Sequence, residues 1–197
     1  MSWKPGEHVE LLTDRFCVRT LKPEDITQRY VDWANDEEVM EHLNLPTGTL
    51  THDKLVKNLK KYDNKSSFNF GIFLREPDLM IGVHTANCDF AHGLVLINVM
   101  IGDKDYWGKK TVLEARGAVI DFLFDEDNFN QKRRIDKIWG MPFTRNLPMV
   151  FNYRALGFQC EGVMRAHRRN HKGGRLDQYM FGLLRSDWEA RNRAIGR

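Results

Sequence analysis

Apolar positions change their period several times along the chain, and each change marks an element. Arg15-Phe-Cys-Val-Arg-Thr-Leu21 alternates apolar with polar residues, as a half-buried strand does. Lys22-Pro23-Glu24-Asp25 then opens a helix, with proline in the first turn and two acids at the positive end of the dipole. That helix carries Ile26, Tyr30, Val31 and Trp33 and ends near Asn35-Asp36. A short second helix is expected over 37–43 and a third over about 52–62, with Leu55, Val56 and Leu59 on one face. Residues 68–74, 79–90 and 94–101 are apolar or alternating runs, and the breaks at 75–78 and 91–93 are short enough for hairpins. Helical spacing returns over 109–125, with Val112, Ala115, Val119 and Phe122 on one face. A strand over 134–143, a helix over 147–156 ended by Gly157, and strands over 158–165 and 176–184 complete the order. An antiparallel sheet that gains helices late predicts an α+β (mixed α/β) domain, not a doubly wound one.

Composition narrows the function classes. The 197 residues suit one domain, 1–197, and no Ser/Gly-rich linker or internal repeat divides them. Thirty Lys+Arg against 27 Asp+Glu leave a net charge of +3, less than a dedicated polyanion binder carries, so nucleic acid is not an expected partner. The opening Met-Ser-Trp-Lys-Pro-Gly-Glu-His has no apolar run behind a basic head. No apolar stretch approaches the roughly 20 residues of a membrane helix, so no membrane partner is expected. Cys17, Cys88 and Cys160 form no CxxC pair and no metal-ligand spacing. They are expected as reduced, small hydrophobic residues in a cytoplasmic protein that holds no metal.

The segment 101–115, Ile-Gly-Asp-Lys-Asp-Tyr-Trp-Gly-Lys-Lys-Thr-Val-Leu-Glu-Ala, carries the most chemistry. It reads as a strand, a short loop and a helix start, whose unpaired N–H groups and positive dipole end suit a pyrophosphate. It resembles the acetyl-CoA loop of the GNAT acetyltransferase superfamily, in the branch of ribosomal-protein N-acetyltransferases and surface-sugar acetyltransferases. Four other stretches resemble that branch in the same order: Arg19-Thr-Leu-Lys-Pro-Glu-Asp25, Trp33-Ala-Asn-Asp-Glu-Glu-Val39, Asn146 to Gly157-Phe158 with Glu161-Gly162, and Tyr179-Met-Phe-Gly-Leu-Leu184 with Trp188.

The resemblance covers nearly the whole chain and implies the GNAT fold. That fold is a central, mostly antiparallel sheet of about seven strands with flanking helices and one splayed parallel pair, here 94–101 and 134–143. It implies acetyl-CoA as co-substrate between the pair, with its pyrophosphate on Trp107, Gly108, Lys109, Lys110, Thr111 and Val112. Backbone N–H groups of Val99, Met100 and Ile101 would polarise the thioester carbonyl, and Asn146 would contact the cofactor near the thioester. Tyr153 takes the family's acid position; a phenol with reference pKa about 10 stays protonated at neutral pH and can protonate a thiolate.

The loop departs from the family pattern. Two positions that are small in the family are Lys110 and Val112 here, and the Ser or Ala three residues after the asparagine is Met149. Small residues let backbone amides approach a pyrophosphate. Three outcomes are open: altered but functional binding, weakened binding, or a catalytically silent domain that binds a ligand or partner.

For the general base, the stretch 94–101 has no carboxylate. His92 in the preceding turn matches a histidine of the sugar-acetyltransferase-like part of the branch, and as a surface-turn residue it has an ordinary reading too. His84 and Asn87 precede it on opposite faces of one strand, either of which serves an acceptor cleft. Trp33 reads as a platform bordering the acceptor or as core. The basic run 165–175 reads as a solvated hairpin arm or as a contact for an acidic acceptor. The expected activity is N-acetylation of a small-molecule primary amine, an amino sugar or nucleotide-linked amino sugar, by direct attack. A protein N-terminal amine is the near alternative. Dimers are common in the fold.

Overall fold

The computed structural model describes residues 3–43, 48–129, 131–170 and 173–194. Eight strands form one sheet among them: β1 (Glu10–Leu12), β2 (Phe16–Thr20), β3 (Ser67–Leu74), β4 (Met80–Asp89), β5 (Leu94–Ile101), β6 (Lys137–Gly140), β7 (Gln159–Arg169) and β8 (Arg175–Leu184). The strand order is β1-β2-β3-β4-β5-β6-β8-β7. Every pairing is antiparallel except β5 with β6. The helices are α1 (Gln28–Asn35), α2 (Glu37–Met40), α3 (His52–Leu59), α4 (Thr111–Phe124), α5 (Leu147–Ala155) and α6 (Arg185–Ala194). This is the mixed α/β architecture expected, with one parallel pair. None of the described helices is long and apolar enough to cross a membrane.

Side-chain alternation along the strands feeds two apolar clusters. Phe68, Phe70, Ile72, Ile81 and Ile97 pack with Ala115, Val119 and Leu123 of α4. Phe73, Val83 and Met100 pack with Val31 and Trp33 of α1 and with Leu55 and Leu59 of α3. Period-2 alternation thus sends neighbouring residues of one strand to opposite layers.

The first expected helix is broken. Pro23–Asp25 forms a separate 3-10 turn, because the Asp25 carboxylate is held by Arg19 (2.8 and 2.9 Å) and caps back onto the Lys22 N–H. α1 starts only at Gln28. The strand expected over 134–143 is ordered as β6 over four residues, and β7 continues past its expected end to Arg169.

The parallel pair carries the architecture's main irregularity. β5 and β6 pair only through Leu94–Lys137, Val95–Ile138 and Leu96–Trp139. β5 runs on to Ile101 with a partner only on its β4 side. The backbone groups of 97–101 that face away from β4 have no strand partner among the described residues.

Candidate active site

The loop between β5 and α4 is built from local hydrogen bonds. Asp103 caps a 3-10 turn over Lys104–Tyr106, and the Trp107 indole donates to the Ile101 carbonyl at 2.8 Å. The Thr111 hydroxyl reaches the Tyr106 carbonyl at 3.0 Å. Charges tie this loop to α1 and α2: Arg29 pairs with Asp103, and Lys104 with Asp36 (2.9 Å) and Glu38 (2.5 Å). Gly108 and Lys110 both take the left-handed conformation, at φ +72° and +60°. Lys110 is the N-cap of α4, so the first N–H groups of that helix open onto the loop.

A cavity of about 460 Å³ lies behind this loop. Its lining includes Val99, Met100, Ile101, Trp107, Gly108, Lys110, Thr111, Val112, Asn146 and Tyr153, which brings ten of the sequence-derived candidates together. Lys109 is exposed beside the Tyr106 ring and does not line it. Val112 is only 9% exposed and packs in the main apolar cluster, so its branched side chain is accommodated in the core. The Asn146 side-chain oxygen accepts from the Met149 N–H at 3.1 Å as the N-cap of α5, which leaves its amide nitrogen for a ligand.

Tyr153 is buried on α5, stacked on Phe181 with ring centroids 5.1 Å apart and edge-on to Phe158. Its hydroxyl lies over Gly140, where a Cβ would come within 1.9 Å of it. Burial raises its pKa, and the Arg116 guanidinium opposes that rise. Arg116 was not foreseen. It follows Val112 by four residues on the inward face of α4, and a charge at a core position was the available signal.

A second cavity of about 450 Å³ opens on the α1–α3 face of the sheet. It shares Leu43, Asn98, Val99 and Met100 with the first, so the two meet at β5, beside Leu43. Its walls are mostly aliphatic, with Tyr30, Tyr62, Asn69, Thr85, Asn58 and Lys61 as the other groups. No carboxylate lines it among the described residues. Burial pushes the Tyr30 phenol up to about 12, with Tyr62 adding to the rise and a hydrogen bond to Asn69 opposing it. The Asn69 side-chain oxygen is buried without a partner among the described residues. A lone Asn in the otherwise apolar run 68–74 was the sequence signal for this site.

Four candidates lie elsewhere, and each has a packing or topological reason. His92 sits in the β4–β5 turn, before the first residue of β5, while the loop to α4 follows the last. Seven residues separate it from Val99, on the order of 20 Å along a strand. His84 is fully buried on the α4 face of β4, against Arg116 at 3.4 Å, and burial together with that cation holds its pKa well below the usual value. Asn87 is exposed and pairs with Leu96 towards the same distant turn. Thr85, two residues earlier on that face, is the one that reaches the second cavity. Trp33 is 8% exposed and wedged under Gly102, where a Cβ would fall 2.0 Å from the indole. It lines neither cavity.

In the basic run, Arg165, His167, Arg168, Arg169 and Arg175 lie exposed on the β7–β8 hairpin, and none lines either of these two cavities. His171 and Lys172 lie outside the described residues.

The family described as acetyltransferase (GNAT) domain matches residues 15–159. A Bacillus subtilis protein named uncharacterized N-acetyltransferase YnaD is 22% identical over 181 residues, covering 91% of this chain and 99% of that protein. RimL, a ribosomal L7/L12 alpha-N-protein acetyltransferase in complex with coenzyme A, superposes with TM-score 0.77 at 14% identity, over 89% of this chain and 98% of that one. Spermidine N-acetyltransferase from Vibrio cholerae, with CoA and spermine, gives 0.73 at 17% identity, over 90% and 99%.

Proposed function

Since the chain belongs to the GNAT acetyltransferase family, we propose that its first cavity holds acetyl-CoA, its second holds the amine, and acetyl passes between them at Asn98–Met100. The chain is an acyltransferase of the N-acetyltransferase kind. The observation that carries the finer reading is the junction itself. Two cavities share one stretch of β5 whose outer edge has no ladder partner.

The residues present fit acetyl-CoA. Left-handed Gly108 and Lys110 and the start of α4 offer backbone N–H groups and the dipole to a pyrophosphate, and Lys110 adds a cation. The free edge at 97–101 suits the amide groups of the pantetheine arm. When bound, acetyl-CoA supplies the activated acetyl group. Those backbone N–H groups of 99–101 that face away from β4 would steady the carbonyl oxygen as the amine attacks, and Tyr153 would give its proton to the departing sulfur.

The second cavity bears on the acceptor. An ammonium entering it meets no carboxylate and has Lys61 beside it, so the neutral amine is favoured both for binding and for attack. The amine is therefore one of low pKa on a largely apolar body, such as an α-amino group with reference pKa about 8, or an arylamine. Polyamines, with amines near the lysine value of about 10.4, fit poorly. The amino-sugar acceptor expected from sequence loses both supports, because His92 and the basic run lie off the cavities. A panel of arylamines, amino-acid amides, short peptides, polyamines and amino sugars, followed by CoA release, tests the reading. Fastest turnover is expected among the first three classes; a polyamine turned over fastest would overturn it.

A further inference from the structure

Arg116 is an arginine that the fold buries without a counter-charge. It is 1% exposed, on the inward face of α4, and lines the cofactor cavity. Its surroundings are the His84 imidazole (Nε to Nε2, 3.4 Å), the Met149 sulfur (3.5 Å) and the Tyr153 ring, whose centroid lies 4.6 Å from the guanidinium carbon. No carboxylate pairs with it among the described residues. The other buried arginine, Arg185, is held differently: its guanidinium donates to the Ile135 and Phe124 carbonyls, with Glu126 and Glu189 at 3.9 Å.

An unpaired buried cation is destabilising, and apolar replacements of similar volume often improve stability. His84 is matched to this burden. Arg116 donates to its Nε2, so the neutral ring carries its proton on Nδ1, and that atom is buried without a partner among the described residues. Two buried polar groups are thus spent on holding one guanidinium beside one phenol.

We propose that Arg116 is a positioning residue for Tyr153, fixing the phenol at the cofactor cavity and supplying the positive charge against which it gives up its proton. This rests on the acid role of Tyr153 proposed above. In the step, the amine nitrogen forms a bond to the acetyl carbon and the C–S bond breaks with its electron pair on sulfur. The Tyr153 proton moves to that sulfur. The phenolate left behind is stabilised by Arg116 until it recovers a proton, through water, from the acylated nitrogen. The products are a neutral amide, a free thiol and the restored phenol.

Steady-state kinetics, acetyl-CoA binding and melting of R116M, Y153F and the double variant test this. R116M is expected to lower kcat by about tenfold to a hundredfold, leave acetyl-CoA affinity near wild type, and hold or raise Tm. In the Y153F background, adding R116M lowers kcat no further. An equal loss in both backgrounds, a lowered Tm, or a loss confined to acetyl-CoA binding would overturn the proposal. Full turnover of Y153F would remove the acid role itself, and the Arg116 proposal with it. If R116M does not fold, R116K carries the test: with the charge kept, turnover stays within about tenfold of wild type, and a larger loss in folded protein overturns the role of the charge.

Discussion

Lys110 occupies a backbone conformation, φ +60° and ψ 15°, that costs an L-residue roughly 1–2 kcal/mol relative to the right-handed region. The loop keeps the bend a glycine would allow, and the chain tolerates the strain. Lys110→Gly should raise Tm of the free protein by about 2–4 °C, the equivalent of about 1 kcal/mol at this size, while weakening acetyl-CoA binding through loss of the cation. Thermal melting with and without acetyl-CoA checks both signs, and a lower Tm for the glycine variant would contradict the strain. Asp63 makes the opposite case of a side chain that relieves backbone need. Its carboxylate accepts from the N–H groups of Lys65, Ser66 and Ser67 at 2.8, 2.8 and 2.9 Å. These bonds hold its pKa far below the ordinary carboxylate value, even against some burial. A lowered folded-state pKa stabilises fully above the unfolded value, about 3.9, and the gain is lost as pH falls through the folded value. Asp63→Asn should therefore cost about 1 kcal/mol at pH 7, with the gap to wild type closing as pH drops below 4 in urea melts.

At the scale of elements, the end of β6 is fitted to what lies over it. Gly140 is its last residue, and only a residue without Cβ leaves room for the Tyr153 hydroxyl. Gly140→Ala should displace the phenol and lower kcat by about tenfold to a hundredfold, with acetyl-CoA affinity little changed. Unaltered kcat would show that the hydroxyl's seat is unimportant. The strand expected over 134–143 was too long at both ends: past Gly140, Met141-Pro142 interrupts the ladder, and pairing with β8 resumes only as an isolated Phe143–Gln178 bridge. Long periodic segments were legible. α4 and α5 begin and end within two residues of expectation, and β5 matches it fully. β1, at three residues, is too short to show alternation. α6 was missed because its sequence is mostly polar, and it is held instead by Trp188 donating to Asp121 at 2.8 Å. Lys110 and Val112 both departed from the small residues of the family pattern; only backbone conformation and burial separate a strained loop residue from a core one.

For the whole molecule, most residues of the proposed cofactor side were legible because they are contiguous along β5, the loop and α4, with Asn146 and Tyr153 joining them from α5 and its N-cap. The acceptor side was not, because it gathers residues from α1, α3, β3, β4 and β5 whose proximity is a property of the sheet order. That order also constrains the kinetic mechanism. On the proposed reading, two cavities joined at Asn98–Met100 hold both substrates together, and no cysteine lines either of them among the described residues. Cys88 is the most enclosed thiol, and burial, aided by Asp63, pushes its pKa up to about 12, so it is not a thiolate near neutral pH. On the proposed reading, acetyl passes directly from sulfur to amine, with no cysteine thiolate at the junction among the described residues. Initial rates measured against both substrates should give intersecting double-reciprocal lines, and replacing Cys17, Cys88 and Cys160 together by serine should leave turnover in place wherever the fold survives. Parallel lines, or acetyl retained on the protein after incubation with acetyl-CoA alone, would mean that the two cavities are used in turn and that a covalent step lies between them.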